Sequence, residues 1–188
     1  VLAHYDKNKP LLMSSDIFLG AIEAAEKQGI SLQPSMQACG VHEKWLHPPE
    51  SFVPIHTVVD FFNDVAERNR CEHFGFLTGV EQPPHRFSHV GRLMKFAPTL
   101  GVAIRDGMDL SLLNSEFSRW ELNVEGEYAS LIRRTRVALS APMSQLQTLA
   151  VTLVFKSLLA LVGQQVQVHQ ICFSHGSNDY HRKMEAFF

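Results

Sequence analysis

The chain has 188 residues, of which 45% are apolar, 19% charged and 10% aromatic. A chain of this length buries about 70% of the surface it exposes when unfolded, so a full core forms without disulfides or a structural metal. Disordered, collagen-like and low-complexity classes are excluded. Seventeen Lys and Arg against 19 Asp and Glu leave a formal charge of −2, which gives this domain alone no electrostatic grip on a phosphate backbone.

Three cysteines, Cys39, Cys71 and Cys172, cannot all pair with one another. That argues against a secreted disulfide framework and for a reducing cytoplasm. VLAHYDKNKP shows no charged leader ahead of an apolar run, so no export signal is expected. The sequence starts without Met and stops at MEAFF inside an amphipathic segment, and the expectation is one piece of a longer protein.

In chain order, Ile17, Phe18, Ala21, Ile22 and Ala25 make a helical stripe over residues 14–28, started by Ser14 or Ser15 and stopped by Gly29. A short helical turn from Pro34 to Ala38 is followed by HEKWLHPPESFV, whose Pro48 and Pro49 make it irregular. Pro54 opens a second amphipathic helix, with Ile55, Val58, Val59, Phe62, Val65 and Ala66 on one side and Asp60, Asn63, Asp64, Glu67 and Arg68 on the other. The apolar stretch HFGFLTGV leads to the breaker Gln82-Pro83-Pro84, and Phe87 to Ala97 is open between strand and helix.

Thr99 is the expected N-cap of a helix to about Leu113 that buries Leu100, Ala103, Ile104 and Met108. Trp120, Leu122 and Val124 then alternate with Glu121, Asn123 and Glu125, and an extended run resumes at Tyr128, which predicts a β-hairpin. A two-residue turn at Glu125-Gly126 puts Leu122 opposite Ala129 and Trp120 opposite Leu131. A three-residue turn puts them opposite Ser130 and Ile132.

Ser140 and Pro142 announce MSQLQTLAVTLVFKSLLALV, closed by Gly163. A bilayer span needs ~20 uninterrupted apolar residues. This run holds Gln145, Gln147, Thr148, Thr152 and Lys156, so it reads as a central packed helix. A last strand is expected over Val166 to Phe173, and YHRKMEAFF reads as another helix. The order predicts one mixed α/β (α+β) domain over 1–188, with a helical N-terminal half and a small, mostly antiparallel sheet covered by helices.

Chemistry is sparse. Among ten His, three stand close to the cysteines: His42 after Cys39, His73 after Cys71 and His175 after Cys172. Zinc wants four ligands in closely spaced pairs, which no one segment supplies, so core cysteines beside surface histidines are expected. His85 and His89 follow Pro83-Pro84 with no carboxylate between them and read as solvated imidazoles. There is no nucleophile elbow, G-x-G-x-x-G, P-loop or H-E-x-x-H, and no enzyme is expected. On a strand, Arg134 and Arg136 share one face and Arg133 takes the other. The cluster reads as a solvated sheet rim, or as an anion-binding or interdomain surface. Trp120 and Tyr128 are core residues or pocket walls.

SDIFLGAIEAAEKQGI, VPIHTVVDFFNDVAERNRCEHFGFLTG, APTLGVAIRDGMDLSLL and ICFSHGSNDYHRKMEAFF together resemble the N-terminal, arabinose-binding-type effector domain of AraC/XylS transcription regulators. Gly20, Gly101 and Gly107 interrupt the helical segments that carry the resemblance. It implies a cytoplasmic, non-catalytic sensor that binds a small-molecule effector, with homodimerisation open. It also implies a helix-turn-helix domain after residue 188, through which alone DNA is touched. No membrane partner is expected. A pocket between the hairpin and its helices is expected, with Met108 and Phe117 as apolar walls and Trp120 and Tyr128 for stacking and hydrogen bonds. The helices-then-hairpin order is also similar to haem-based nitric-oxide sensors, where Tyr-x-Ser-x-Arg holds the propionates. Here Tyr128-x-Ser130 runs on to Ile132, and no cofactor is expected. The alternatives are a haem- or metal-binding sensor and a purely structural dimerisation module.

Overall fold

The structure is a computed structural model that describes residues 10–46, 51–83, 93–111, 115–163, 167–176 and 184–188. Strand β1 (Leu12–Ser14) pairs antiparallel with β2 (Phe52–Pro54), with Met13 opposite Val53. Between them lie α1 (Ala21–Gln28) and α2 (Gln33–Cys39). The stripe expected as one helix over 14–28 is therefore divided. Ser14 caps a 3-10 turn over Ser15–Phe18, its Oγ accepting from the Asp16 amide at 3.3 Å, and α1 starts only after Gly20. At Gly20 the chain runs against another backbone, where a Cβ would lie 2.1 Å from the Thr78 carbonyl oxygen. Gly29, at φ +66, ends α1 as expected. The HEKWLHPPESFV connector, outside residues 47–50, holds a 3-10 turn at Glu43–Trp45 and the start of β2.

Helix α3 (Ile55–Arg68) follows Pro54, and Ile55, Val58, Val59, Phe62, Val65 and Ala66 are all buried. The HFGFLTGV stretch is helix α4 (Phe74–Glu81). After the turn at Leu93 and Met94, Thr99 Oγ1 accepts from the Val102 amide at 3.2 Å and starts α5 (Leu100–Asp109). That helix stops short of Leu113, which lies outside the described residues. Of its four expected core residues only Ala103 is buried; Leu100, Ile104 and Met108 are half-exposed, because Ile104 and Met108 face a cavity.

β3 (Ser118–Glu125) and β4 (Tyr128–Thr135) form the hairpin. Its register is neither of the two expected: Leu122 faces Leu131 and Trp120 faces Arg133. The two-residue turn is Gly126-Glu127, one residue later than expected, because Gly126 at φ +60 fills the first central position. The hairpin and the β1–β2 pair are separate two-stranded antiparallel sheets where one sheet was expected. The mixed α/β class stands.

Helix α6 (Ser144–Val162) ends at Gly163. By length and composition it could cross a membrane, yet it packs on α3 and α4 and buries Leu146, Leu149, Leu153 and Phe155. Gly75 and Gly79, one turn apart on α4, permit that approach: a Cβ would lie 2.1 Å from the Gln145 carbonyl oxygen at Gly75 and 2.7 Å from Thr152 Cβ at Gly79. Beneath them Phe18, Phe61, Phe62 and Phe74 form an aromatic core, with Phe18 and Phe61 edge to face at 5.3 Å.

The strand expected over Val166–Phe173 is absent from residues 167–173, the described part of that run. Alternation needs a partner strand to become a ladder. None lies alongside among the described residues; His169 instead meets Tyr128 at 5.4 Å and His175 meets Gln147 at 3.1 Å. Of the expected tail helix, residues 184–188 are described and make one turn, with the Phe188 amide donating to the Met184 carbonyl at 3.1 Å. His85 and His89 lie outside the described residues.

Candidate functional site

The hairpin, α5 and α6 line a partly open cavity of about 130 Å³, with Met13 and Ile17 also on its wall. Each wall follows from a local period. On α5, Ile104, Gly107 and Met108 fall on one face, and on α6 so do Leu146, Leu153, Val154 and Leu158. Across the hairpin the Trp120–Arg133 pairing puts Ser118, Trp120, Leu131 and Arg133 on the inner face. The outer face carries an exposed ion-pair network in which Arg134 Nε lies 2.7 Å from Glu121 Oε2 and Arg119 Nη2 lies 3.0 Å from Glu121 Oε1. These arginines hold the Glu121 carboxyl below its ordinary range, Arg134 most.

The wall is mostly apolar, and most of its serine hydroxyls bond to the backbone. Ser111 Oγ donates to the Met108 carbonyl at 2.6 Å, and Ser157 Oγ to that of Leu153 at 2.8 Å. Ser115 Oγ accepts from the Phe117 amide at 3.2 Å. Asp16, also on the wall, has a partner of its own. Arg133 is different. Its guanidinium lies 5.9 Å from the centre of the Phe117 ring and makes no hydrogen bond or ion pair among the described residues. Burial alone pushes its pKa down to about 10, so it remains a cation at neutral pH. The residue as a whole is half-buried and lines the cavity.

Of the four residues expected at a pocket, the structure brings Met108 and Trp120 to this cavity. Phe117 is fully buried behind it, under Arg133. Tyr128 stands at the hairpin tip, 64% exposed, away from the lining. Arg133 is the residue that sequence reasoning did not place at the site. Strand parity already separated it from Arg134 and Arg136, and the missing information was that its face turns inward.

A second, larger depression of about 340 Å³ is lined by Asn63, Glu67, His73, Gln145 and His175. Gln145 spans its base, its Oε1 accepting from the Gly75 amide at 2.8 Å and its Nε2 donating to the Glu72 carbonyl at 2.7 Å. That group serves the fold. No cluster of three or more potential metal ligands occurs among the described residues. Cys71 is buried with its Sγ 3.7 Å from His73 Nδ1, Cys39 is half-buried and Cys172 is exposed. Burial pushes both the Cys39 and Cys71 thiols up, the opposite of what a reactive thiolate requires.

Comparison with curated proteins finds no match. The family model described as the arabinose-binding domain of AraC transcription regulators, N-terminal, matches residues 29–188. A largely apolar cavity is in keeping with that match, and the chain belongs to the family of AraC-type arabinose-binding N-terminal domains.

Proposed function

We propose that this domain senses a small-molecule effector held in the cavity between α5, the β3–β4 hairpin and α6, and passes the state of that site to a DNA-binding domain following residue 188. The family is one of ligand-sensing regulatory domains. The observation that carries the reading is the placement of α6. One side of it lines the cavity through Leu153, Val154 and Leu158, while Phe155 packs against Phe187 and Phe188 at 5.7 and 5.0 Å. A ligand that fills the cavity in one arrangement of these elements better than in another shifts the equilibrium by that difference in affinity, and α6 carries the shift to the C-terminal aromatic pair.

Met108 and Trp120 touch the effector in this reading, and Phe117 supports it from behind. The protein works without a cofactor, in the cytoplasm, and as a homodimer if the parent follows the symmetry common among soluble oligomers. Thermal unfolding against a metabolite panel tests the reading. A ligand at 100 times its Kd adds about 2.7 kcal/mol, several degrees in Tm for a chain of this size. Met108→Trp, which fills the cavity, abolishes the shift. A panel that leaves Tm unmoved, or a shift that Met108→Trp does not touch, overturns the reading.

A further inference from the structure

Building on that sensor reading, we infer that the effector is a small monocarboxylate with an apolar body about the size of one aromatic ring or a short aliphatic chain. Its carboxylate pairs with Arg133 and its body lies against Trp120, Leu131 and Met108.

Charge comes first. A buried guanidinium without a partner is expensive, and proteins rarely keep one without an anion to meet it. Arg133 makes no ion pair among the described residues, and no carboxylate contributes to its pKa shift. Phe117 contributes a ring 5.9 Å from the guanidinium and offers nothing to the N–H groups. Those donors form a planar fork that matches a carboxylate with two parallel hydrogen bonds. Arg133 is also the lone cation on the described cavity wall, and the one acid there, Asp16, has a partner of its own, so the wall offers its charge to one negative group rather than to the two charges of a phosphate monoester.

The rest of the wall sets the body of the ligand. A sugar needs a hydroxyl partner at almost every carbon, whereas here Ser14, Ser111, Ser115 and Ser157 are already bonded to the backbone and Ser118 is the one serine of the described wall with no such bond. Trp120, Leu131, Met108, Met94 and Leu158 present apolar surface. The volume of about 130 Å³ is close to that of an apolar cavity of ~150 Å³ that admits benzene. A long acyl chain exceeds it.

The test uses the whole chain with Trp45→Phe, which leaves Trp120 as the single tryptophan. Benzoate, phenylacetate and hexanoate are titrated against Trp120 fluorescence, beside benzamide, benzyl alcohol and L-arabinose. At least one carboxylate binds, and at least tenfold more tightly than its neutral counterpart. Arg133→Met removes at least tenfold of that affinity, leaves neutral binding equal or tighter, and does not lower Tm; Arg133→Lys restores part of the loss. Should Arg133→Met fail to fold, Arg133→Gln provides the same comparison. Carboxylate binding indifferent to Arg133, or preference for benzyl alcohol or L-arabinose, overturns the charge inference and leaves the sensor reading standing. Silence of every compound, charged and neutral, likewise overturns the charge inference, and the sensor reading then stands or falls with the metabolite panel.

Discussion

Gln145 ties three parts of the chain together with one side chain. Its amide oxygen receives the Gly75 N–H at the start of α4 and its amide nitrogen reaches the Glu72 carbonyl, while its own backbone carbonyl oxygen lies 2.1 Å from where a Cβ on Gly75 would be. Gln145→Leu leaves a buried N–H and a carbonyl unpaired, and costs about 1–3 kcal/mol in urea unfolding. Gly75→Ala forces a methyl to 2.1 Å from a backbone oxygen. One helix must move, and the expected loss is about 3 kcal/mol, at the upper end of overpacking effects. Neither role was legible in the sequence. Gln145 counted there only as a polar interruption of an apolar run, and Gly75 as one glycine in an apolar stretch, because the partner of each is 70 residues away.

At the scale of elements, Lys156 on α6 donates to the Val80 and Gln82 carbonyls, closing the C-terminal end of α4. Burial holds its ammonium pKa below the usual 10.5, more than the nearby Glu81 and Glu23 raise it. The folded chain therefore gives up this proton before the unfolded chain does. Stability from this group rises with pH between its folded pKa and 10.5 and is flat below that window. Urea unfolding of the wild type minus that of Lys156→Met, from neutral pH to 10.5, isolates the effect, since other lysines cancel. A difference that falls with pH would show that the two carbonyls outweigh burial. Here too legibility divides by partner. α3 was readable because its buried stripe and charged face alternate at the helical period. α4 is buried along Phe74, Gly75, Phe76, Thr78 and Gly79, so it had no face for the period to report. The hairpin showed its alternation but not its register, which Gly126 sets from the turn.

Across the whole molecule, the helical core of α3, α4 and α6 stands on one side of the cavity, and α5 with the hairpin on the other. On the proposed function, a ligand between them would bridge the two sets of elements. Amide hydrogen exchange should show protection gained in α5 and the hairpin on binding, with α3 changed little, since its residues Val58, Phe61, Phe62 and Val65 are already fully buried. Uniform protection throughout the chain would place the ligand's effect in global stability instead. The family match supplies the regulatory class, and the chain supplies the cavity.

Sequence alone determined the mixed α/β class, the amphipathic α3, the caps at Thr99, Gly29 and Gly163, and the absence of familiar catalytic motifs. Each of these is written in neighbouring residues, since periodicity and capping act over one or two turns. Tertiary structure decided that Trp120 stands opposite Arg133, that this face of the hairpin turns toward α6, and that Gly75 and Gly79 exist to let α4 and α6 meet. Register and helix approach are settled by surfaces distant in the chain. A residue such as Arg133 therefore has the same local pattern whether it faces solvent or a ligand.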